Sequence, residues 1–186
     1  PVQSLEAPPE LSLHAEGERP PDRFTVGYFS STKPESGFGQ LASIIRATNH
    51  AARNPRRSRF VVQIKPDVPG GASRSAVMAQ KAELAAIPER NVSLIEEFVP
   101  RPVYFAALKQ VDAVLLPYTA GDGQERFSTV AQHAMAAGKL VFTYDGVTLP
   151  GTVKNRVLTA RDDRVMGEII ADTAADLPAV RTAASV

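Results

Sequence analysis

The chain has 186 residues, of which 44% are hydrophobic, so it can bury one full core and is expected to form a single domain. Its net charge of +1 argues against nucleic-acid binding as its main function. The absence of cysteine excludes disulfides, a thiol nucleophile and cysteine metal ligands. The three histidines have no ligand-like spacing, and the apolar runs are too short to span a membrane. We therefore expect a soluble, cytoplasmic protein without a metal site.

The first 23 residues are rich in proline and show no sustained periodicity, which predicts a linker or irregular lead-in over 1–23 and a folded domain over 24–186. Strands and helices are predicted to alternate through that domain. In chain order the predicted elements are strand 23–31, helix 37–54, strand 59–66, helix 74–87, strand 91–99, helix 102–110, strand 112–118, helix 128–137, strand 139–146, a short strand 156–160 and helix 163–177.

Each kind of element rests on a recognisable pattern. The first strand, "RFTVGYFSS", is rich in β-branched and aromatic residues, whereas Leu41, Ile44 and Ile45 recur at helical spacing in the first helix. Pro88 halts the second helix, and Gly138 suits the end of the fourth. The run "DAVLLPY" is almost continuously apolar, as is typical of a strand covered on both faces.

This alternation predicts an α/β fold: a Rossmann-like, doubly wound, mostly parallel sheet of about six strands with helices on both faces. Ligands of such sheets bind beyond the carboxyl ends of the strands, where helix amino termini present free N–H groups. The candidate loops therefore follow the strands, at residues 30–39, 65–72, 98–102, 117–128 and 145–151.

The stretch "ERFSTVAQHAMAAGK" (125–139) stands where a strand hands over to a helix. Ser128 suits the N-cap, and the first-turn N–H groups together with Arg126 would attract an anion. Glu125 could accept hydrogen bonds from sugar hydroxyls beside that anion. The alternative interpretation is an ordinary capped helix preceded by a solvated Glu–Arg pair. A diphosphate carrying a sugar would use both the charge and the carboxylate.

Two other motifs point to different functions. The spacing Gly37-x-Gly39-x-x-Ala42 fits a loose dinucleotide-binding fingerprint, and hence an oxidoreductase. However, "TKPES" separates it from its strand, and Lys65 stands where an acid would hold a ribose, so a loop-to-helix turn is favoured. The basic run "RNPRRSR" (53–59) could meet anionic lipid or nucleic acid, but is more typical of a solvated turn.

The segment "VDAVLLPYTAGDGQERFSTVAQHAMAAGKLVFTYDG" resembles the C-terminal, nucleotide-sugar-binding domain of retaining GT-B glycosyltransferases (glycosyl transferases group 1, family 4-like). In that family a strand ending in Leu-Pro precedes a Glu-x7-Glu motif and a helix ending in "EAMAxGxPV", and this chain has "HAMAAGKLV". The segments "VGYFSSTKPESGFGQLASII" and "NVSLIEEFVPRPVYFAALKQ" follow the family order too. The resemblance covers roughly residues 24–153.

The resemblance implies a donor site in this chain. Glu125 would contact the transferred sugar as the catalytic residue, and the backbone of Phe127, Ser128 and Thr129 would meet the distal phosphate. Phe98 and Val99 would flank the nucleobase, and His133 stands where the second glutamate of the family holds the ribose. The diphosphate-binding Arg and Lys of the family align with Ser30 and Ser36. The remaining predicted donor-site residues are Ser31 and three substitute cations, Lys33, Lys65 and Arg126.

The function implied is hexosyl transfer with retention from a nucleotide-diphosphate sugar, in polysaccharide or glycolipid assembly. The acceptor would be held by a separate N-terminal domain, so the isolated domain is expected to be inactive. No metal or other cofactor is expected, and peripheral membrane association is left open. The alternative, favoured by Ser30, Ser36 and His133, is a degenerate domain that binds a partner and has lost catalysis.

Overall fold

The structure is a computed structural model that describes residues 21–65, 69–96, 99–119, 128–149 and 156–183. Within these ranges, strands and helices alternate along most of the chain. The strands are β1 Phe24–Tyr28, β2 Ser58–Gln63, β3 Val92–Ile95, β4 Ala113–Leu116, β5 Leu140–Tyr144 and β6 Val157–Ala160. The α-helices are α1 Leu41–Ala51, α2 Arg74–Ala85, α3 Arg101–Gln110, α4 Thr129–Ala136, α5 Asp163–Ala175 and α6 Leu177–Ala183.

Most predicted elements exist, with ends shortened by local geometry. The helix predicted over 37–54 begins only at Leu41, because Gly37 has a φ of 74° and two short 3₁₀ turns come first. It ends at Ala51, since Ala52 is already extended. The first strand stops at Tyr28, where its pairing with β2 ends, and not at Ser31. Helix α6 was not predicted, and its Pro178 lies in the first turn, where proline is tolerated.

In the described part of the chain, the strands form one sheet of six, in the order β3-β2-β1-β4-β5-β6. Each neighbouring pair is parallel. The chain therefore winds outward from β1 to β3, returns to the centre at β4 and winds outward again. This reversal creates a switch point between β1 and β4, and it confirms the doubly wound α/β fold predicted from the sequence.

Two hydrophobic cores cover the two faces of the sheet. Alternate residues of β4 point to opposite faces, so Ala113 and Leu115 join one core while Val114 and Leu116 join the other. The first core contains residues of α1, α2, α5 and α6, and the second contains residues of α3 and α4. Burial on both faces explains why the sequence of this strand is apolar throughout.

A buried carboxylate ties the start of the domain to its last helix. The side chain of Asp112, just before β4, accepts from the backbone N–H of Thr25 at 2.9 Å and from Nε of Arg181 at 3.0 Å. Arg181 also donates to the backbone carbonyl groups of Pro21 and Arg23. These bonds hold α6 against the amino ends of β1 and β4. No helix in the described ranges is long and apolar enough to cross a membrane.

Helices α1 and α5 approach each other at Gly167. A Cβ added there would lie 2.5 Å from Cβ of Ala47 and 2.5 Å from the amide nitrogen of Thr48. Since backbone atoms cannot move aside without shifting a helix, we expect Gly167→Ala to lower the free energy of unfolding by about 1–2 kcal/mol, despite the better helix propensity of alanine. Chemical denaturation of the two proteins measures this difference.

Gly39 is the matched control. It lies in a 3₁₀ turn, and an added Cβ would meet no atom within 4 Å. Gly39→Ala should leave stability unchanged or raise it by less than about 1 kcal/mol. Equal effects of the two substitutions would show that α1 and α5 are not in close contact at Gly167.

Candidate functional site at the carboxyl edge of the sheet

A cavity of about 450 Å³ opens at the carboxyl ends of the central strands. Its walls come from the last residue of β2, from residues that follow β1, β2 and β3, and from the amino-terminal parts of α3 and of α4. We call it the carboxyl-edge cavity. Its lining residues are Phe29, Gln63, Lys65, Val99, Arg101, Tyr104, Thr129, Val130 and His133.

Lys65 provides a positive charge at the end of β2. Its Nζ donates to the backbone carbonyl of Phe29 at 3.1 Å, which holds the side chain across the edge of the sheet. Partial burial lowers the pKa of Lys65 below its ordinary value, because the charged ammonium group loses hydration. An anion in this cavity would compensate for that lost hydration.

An aromatic cluster forms the opposite wall. The ring of Tyr104 meets that of Phe29 edge to face, with centroids 5.7 Å apart. Its hydroxyl group lies 3.3 Å from Nδ1 of His133, whose ring also contacts Phe105 at 4.8 Å between centroids. The guanidinium group of Arg101 lies 5.5 Å from the centroid of the Phe105 ring. Of these rings, Phe29, Tyr104 and His133 line the cavity, and they offer apolar ring surface against which a planar base could pack.

The amino end of α4 is capped as the sequence predicts. Ser128 has an extended backbone conformation, and its Oγ accepts from the N–H of Ala131 at 3.1 Å. The following residue, Thr129, is exposed at the cavity and begins the helix. The first turn of α4, at the positive end of its helix dipole, therefore borders the same cavity as Lys65.

A chain of buried hydroxyl groups lies beside this helix end. The hydroxyl of Tyr118 is 2.9 Å from Oγ of Ser128 and 3.4 Å from Oγ of Ser30. Oγ of Ser31 is 2.8 Å from Oγ of Ser36, and Tyr28 donates to the backbone carbonyl of Ser31 at 2.5 Å. We call these residues the hydroxyl cluster. It places neutral groups where the resemblance aligns an arginine and a lysine.

The structure thus separates the predicted site residues into groups. Lys65, Val99, Thr129 and His133 meet at the carboxyl-edge cavity, with Ser128 capping the adjoining helix. Ser30 and Ser31 belong to the hydroxyl cluster. Lys33 is not one of the residues lining the cavity. Four predicted residues, Phe98, Glu125, Arg126 and Phe127, lie outside the described residues.

Several cavity residues were not predicted from the sequence, notably Phe29, Arg101 and Tyr104. Their sequence signal is an arginine and two aromatic residues at strand ends or in the first turn of a helix on the carboxyl edge. Gly37, part of the dinucleotide-like spacing, lies in a left-handed turn, and a Cβ there would meet the carbonyl oxygen of Pro117 at 2.0 Å. The glycine is therefore explained by the close approach of two backbone segments.

Neither a protein-family model nor a curated protein matches the chain. Solved structures do. OtsA shares 11% identity, with a TM-score of 0.68 over 96% of this chain and 41% of OtsA. The C-terminal domain of a glycosyl transferase group 1 family protein, LpcC of Francisella tularensis, shares 13% identity. Its TM-score is 0.64, over 87% of this chain and 80% of that domain. HepE of Anabaena, solved with UDP and glucose, shares 20% identity, with a TM-score of 0.64 over 97% of this chain and 46% of HepE.

The chain therefore has the fold of the C-terminal domain of GT-B glycosyltransferases. It spans less than half of the length of OtsA and of HepE. At these identities the likeness establishes the fold, and the chemistry of the site has to be argued from the residues of this chain.

Burial raises the pKa of Tyr104 to about 12, with a smaller contribution from Tyr118. An unfolded tyrosine ionises near pH 10, so below that pH neither state loses this proton. Between about pH 10 and pH 12 the unfolded state ionises first, and the folded protein loses stability. We therefore expect the wild-type protein to lose stability relative to Tyr104→Phe over this interval.

Chemical denaturation at a series of pH values measures this difference. Tyr28 and Tyr144, whose pKa values are also raised by burial, are present in both proteins, so their contributions cancel. A stability difference that stays constant from neutral pH through this interval would show that Tyr104 is not buried in the wall of the cavity.

Proposed function

We propose that the chain is the donor-binding domain of a GT-B glycosyltransferase and that the carboxyl-edge cavity binds a nucleotide-diphosphate sugar. One observation carries this proposal: a cation, an aromatic wall and a capped helix amino terminus converge at the switch point of a doubly wound sheet. A nucleoside diphosphate requires a flat apolar surface for the base and donors with positive charge for the phosphates.

One region of the cavity suits the base of such a ligand, and another suits its phosphates. Tyr104 and Phe29 supply ring surface for the base, beside Val99. Lys65 and the first turn of α4 supply donors for the phosphates, within the same cavity. His133 lies between the two regions, at 3.3 Å from the Tyr104 hydroxyl, where a ribose would hydrogen-bond to an imidazole. The donor would thus run from the aromatic wall to the start of α4.

For the predicted site residues outside the described ranges, the proposed roles rest on the sequence alone. Glu125 is proposed to contact the sugar, and Arg126 and the Phe127 backbone to contact the distal phosphate, because they immediately precede the N-cap Ser128. Phe98 is proposed to flank the base beside Val99. Transfer of a hexose with retention, to a glycan or lipid held by an N-terminal domain, is the corresponding reaction. It would proceed with positive charge from side chains and the helix dipole in place of a metal ion.

The test is calorimetric titration of the chain with UDP, GDP and ADP. A charge-assisted hydrogen bond contributes about 1.5–3 kcal/mol, so Lys65→Ala should weaken the binding of the preferred nucleotide by about 10- to 100-fold. Lys65→Arg retains the charge and should recover part of the affinity.

Lys81→Ala is the matched control, because Lys81 lies on α2 in a largely exposed pair with Glu96. It should leave nucleotide affinity unchanged. If Lys65→Ala binds as tightly as the wild-type protein, the phosphates do not lie beside Lys65 and the proposed orientation of the donor is wrong.

The hydroxyl cluster favours a second candidate function, a degenerate GT-B-like domain that binds a partner without catalysis. Ser30 is only 8% exposed and lies within hydrogen-bond distance of Tyr118, so no cation stands at this position to neutralise a diphosphate. The same titrations separate the two functions. The absence of binding by all three nucleotides at millimolar concentration would favour the degenerate domain, whereas saturable binding lost in Lys65→Ala favours the donor site.

A further inference from the structure

A second cavity, of about 580 Å³, lies at the opposite end of the sheet. It is bounded by the residues before β1, by the 3₁₀ turn before β2 and by α6. The first and last of these segments are more than 100 residues apart in the sequence. Four arginines line it, and we call it the arginine cavity. These residues are Arg23, Arg56, Arg57 and Arg181.

The described residues that line this cavity carry more positive than negative charge. Arg181 is paired with the buried Asp112, and Asp22 also lines the cavity. Among the described residues, however, Arg23, Arg56 and Arg57 form no ion pair. When Asp112 is counted with the described lining residues, four arginines against two aspartates leave an excess of two positive charges.

A further positive charge lies next to this group. Arg59, on β2, has a pKa lowered mainly by burial and in addition by the charge of Arg23. Gathering like charges from distant segments costs free energy unless a ligand of opposite charge compensates for it.

A third cavity, of about 440 Å³, adjoins the arginine cavity and shares Asn54 and Arg57 with it. Its lining includes the carboxyl-terminal ends of α1 and α5, where helices leave carbonyl acceptors, together with Asp172 and Arg53. Ser58 also lines this adjoining cavity. Its side chain is fully buried, and its Oγ has no hydrogen-bond partner in the described part of the protein.

A buried hydroxyl group without a hydrogen-bond partner lowers stability, so a polar group that enters the adjoining cavity and bonds to it would be stabilised there. Carbonyl groups, the carboxylate of Asp172 and a serine hydroxyl group can all form hydrogen bonds with the hydroxyl groups of a ligand. The two cavities therefore fit the two parts of one molecule.

We propose that the arginine cavity binds the phosphate of a phosphate ester whose hydroxyl-bearing part enters the adjoining cavity. Arginine favours phosphate because its planar guanidinium group can donate two parallel hydrogen bonds. The ester is either a free polyol or sugar phosphate or the glycerol-phosphate headgroup of an anionic lipid. This site lies at the amino ends of β1 and β2, whereas the carboxyl-edge cavity lies at their other ends.

The test compares inorganic phosphate, glycerol phosphate and vesicles of phosphatidylcholine with or without phosphatidylglycerol. Calorimetry measures the soluble ligands, and cosedimentation measures the vesicles. The variant Arg23→Gln/Arg56→Gln removes two side chains, and it keeps the backbone groups with which Arg23 and Arg56 contact Arg181 and Asn54. It should lower affinity for the bound probe by at least about tenfold.

Arg74→Gln/Arg164→Gln is the matched control, since it removes the same charge from exposed positions on α2 and α5. It should bind as the wild-type protein does. Ser58→Ala should weaken glycerol phosphate and leave inorganic phosphate unchanged. Binding of glycerol phosphate in solution identifies a free ester, and binding only to phosphatidylglycerol vesicles identifies a lipid headgroup.

The proposal is overturned if no probe binds at millimolar phosphate, if both double variants lose affinity equally, or if Arg23→Gln/Arg56→Gln binds normally. If Ser58→Ala weakens the binding of both soluble ligands equally, the adjoining cavity does not contact the ligand. Arg23→Gln/Arg56→Gln should bind UDP with the affinity of the wild-type protein. The proposals for this site and for the nucleotide site can therefore be refuted separately.

Discussion

Parallel pairing of the described strands gives the two ends of this sheet different chemistry. Because the strands all run in one direction, the segments that leave them gather at one edge and the segments that enter them gather at the other. The chain also changes faces between α2 and α3, which opens a crevice between the ends of β1 and β4. Lys65, Tyr104 and the start of α4 meet there although they are distant in sequence.

The two edges differ in how their charges are satisfied. At the carboxyl edge the positive charge is sparse. Lys65 donates a hydrogen bond to a backbone carbonyl group, and neutral hydroxyl groups of Ser30, Tyr118 and Ser128 lie at the same edge. Such a site holds an anion through dipoles and a few directed bonds. At the amino edge, by contrast, arginines gather in excess over aspartates, so attraction of an anion there depends chiefly on net charge.

The fold was largely predictable because its signals are local and repeated. The apolar run of β4 and the helical spacing of Leu41, Ile44 and Ile45 each follow from burial against neighbours. Element ends were less predictable, because they depend on tertiary contacts: Gly37 takes its left-handed conformation where the backbone of Pro117 comes close. The residues of α6 carry no strong apolar period, and Arg181 holds that helix through Asp112.

The candidate site was only partly predictable. The helix cap at Ser128 is a local pattern, so the sequence contained it. The approach of Tyr104 to His133 and Phe29 depends on the packing of α3 against α4 and β1, which no local pattern encodes. The hydroxyl cluster is similarly a product of the fold, because it joins residues that are 88 positions apart.

Nuclear magnetic resonance of the ¹⁵N-labelled chain during titration with UDP tests whether the nucleotide binds in the carboxyl-edge cavity, since it locates the ligand on the sheet. A nucleotide in the carboxyl-edge cavity should progressively shift the backbone amide signals of Lys65, Val99, Tyr104, Thr129 and His133, and the amide signals near Arg23 and Arg56 should not move. Saturable shifts confined to the amino edge, or no shifts at millimolar UDP, would contradict the assignment of the carboxyl-edge cavity as a nucleotide site.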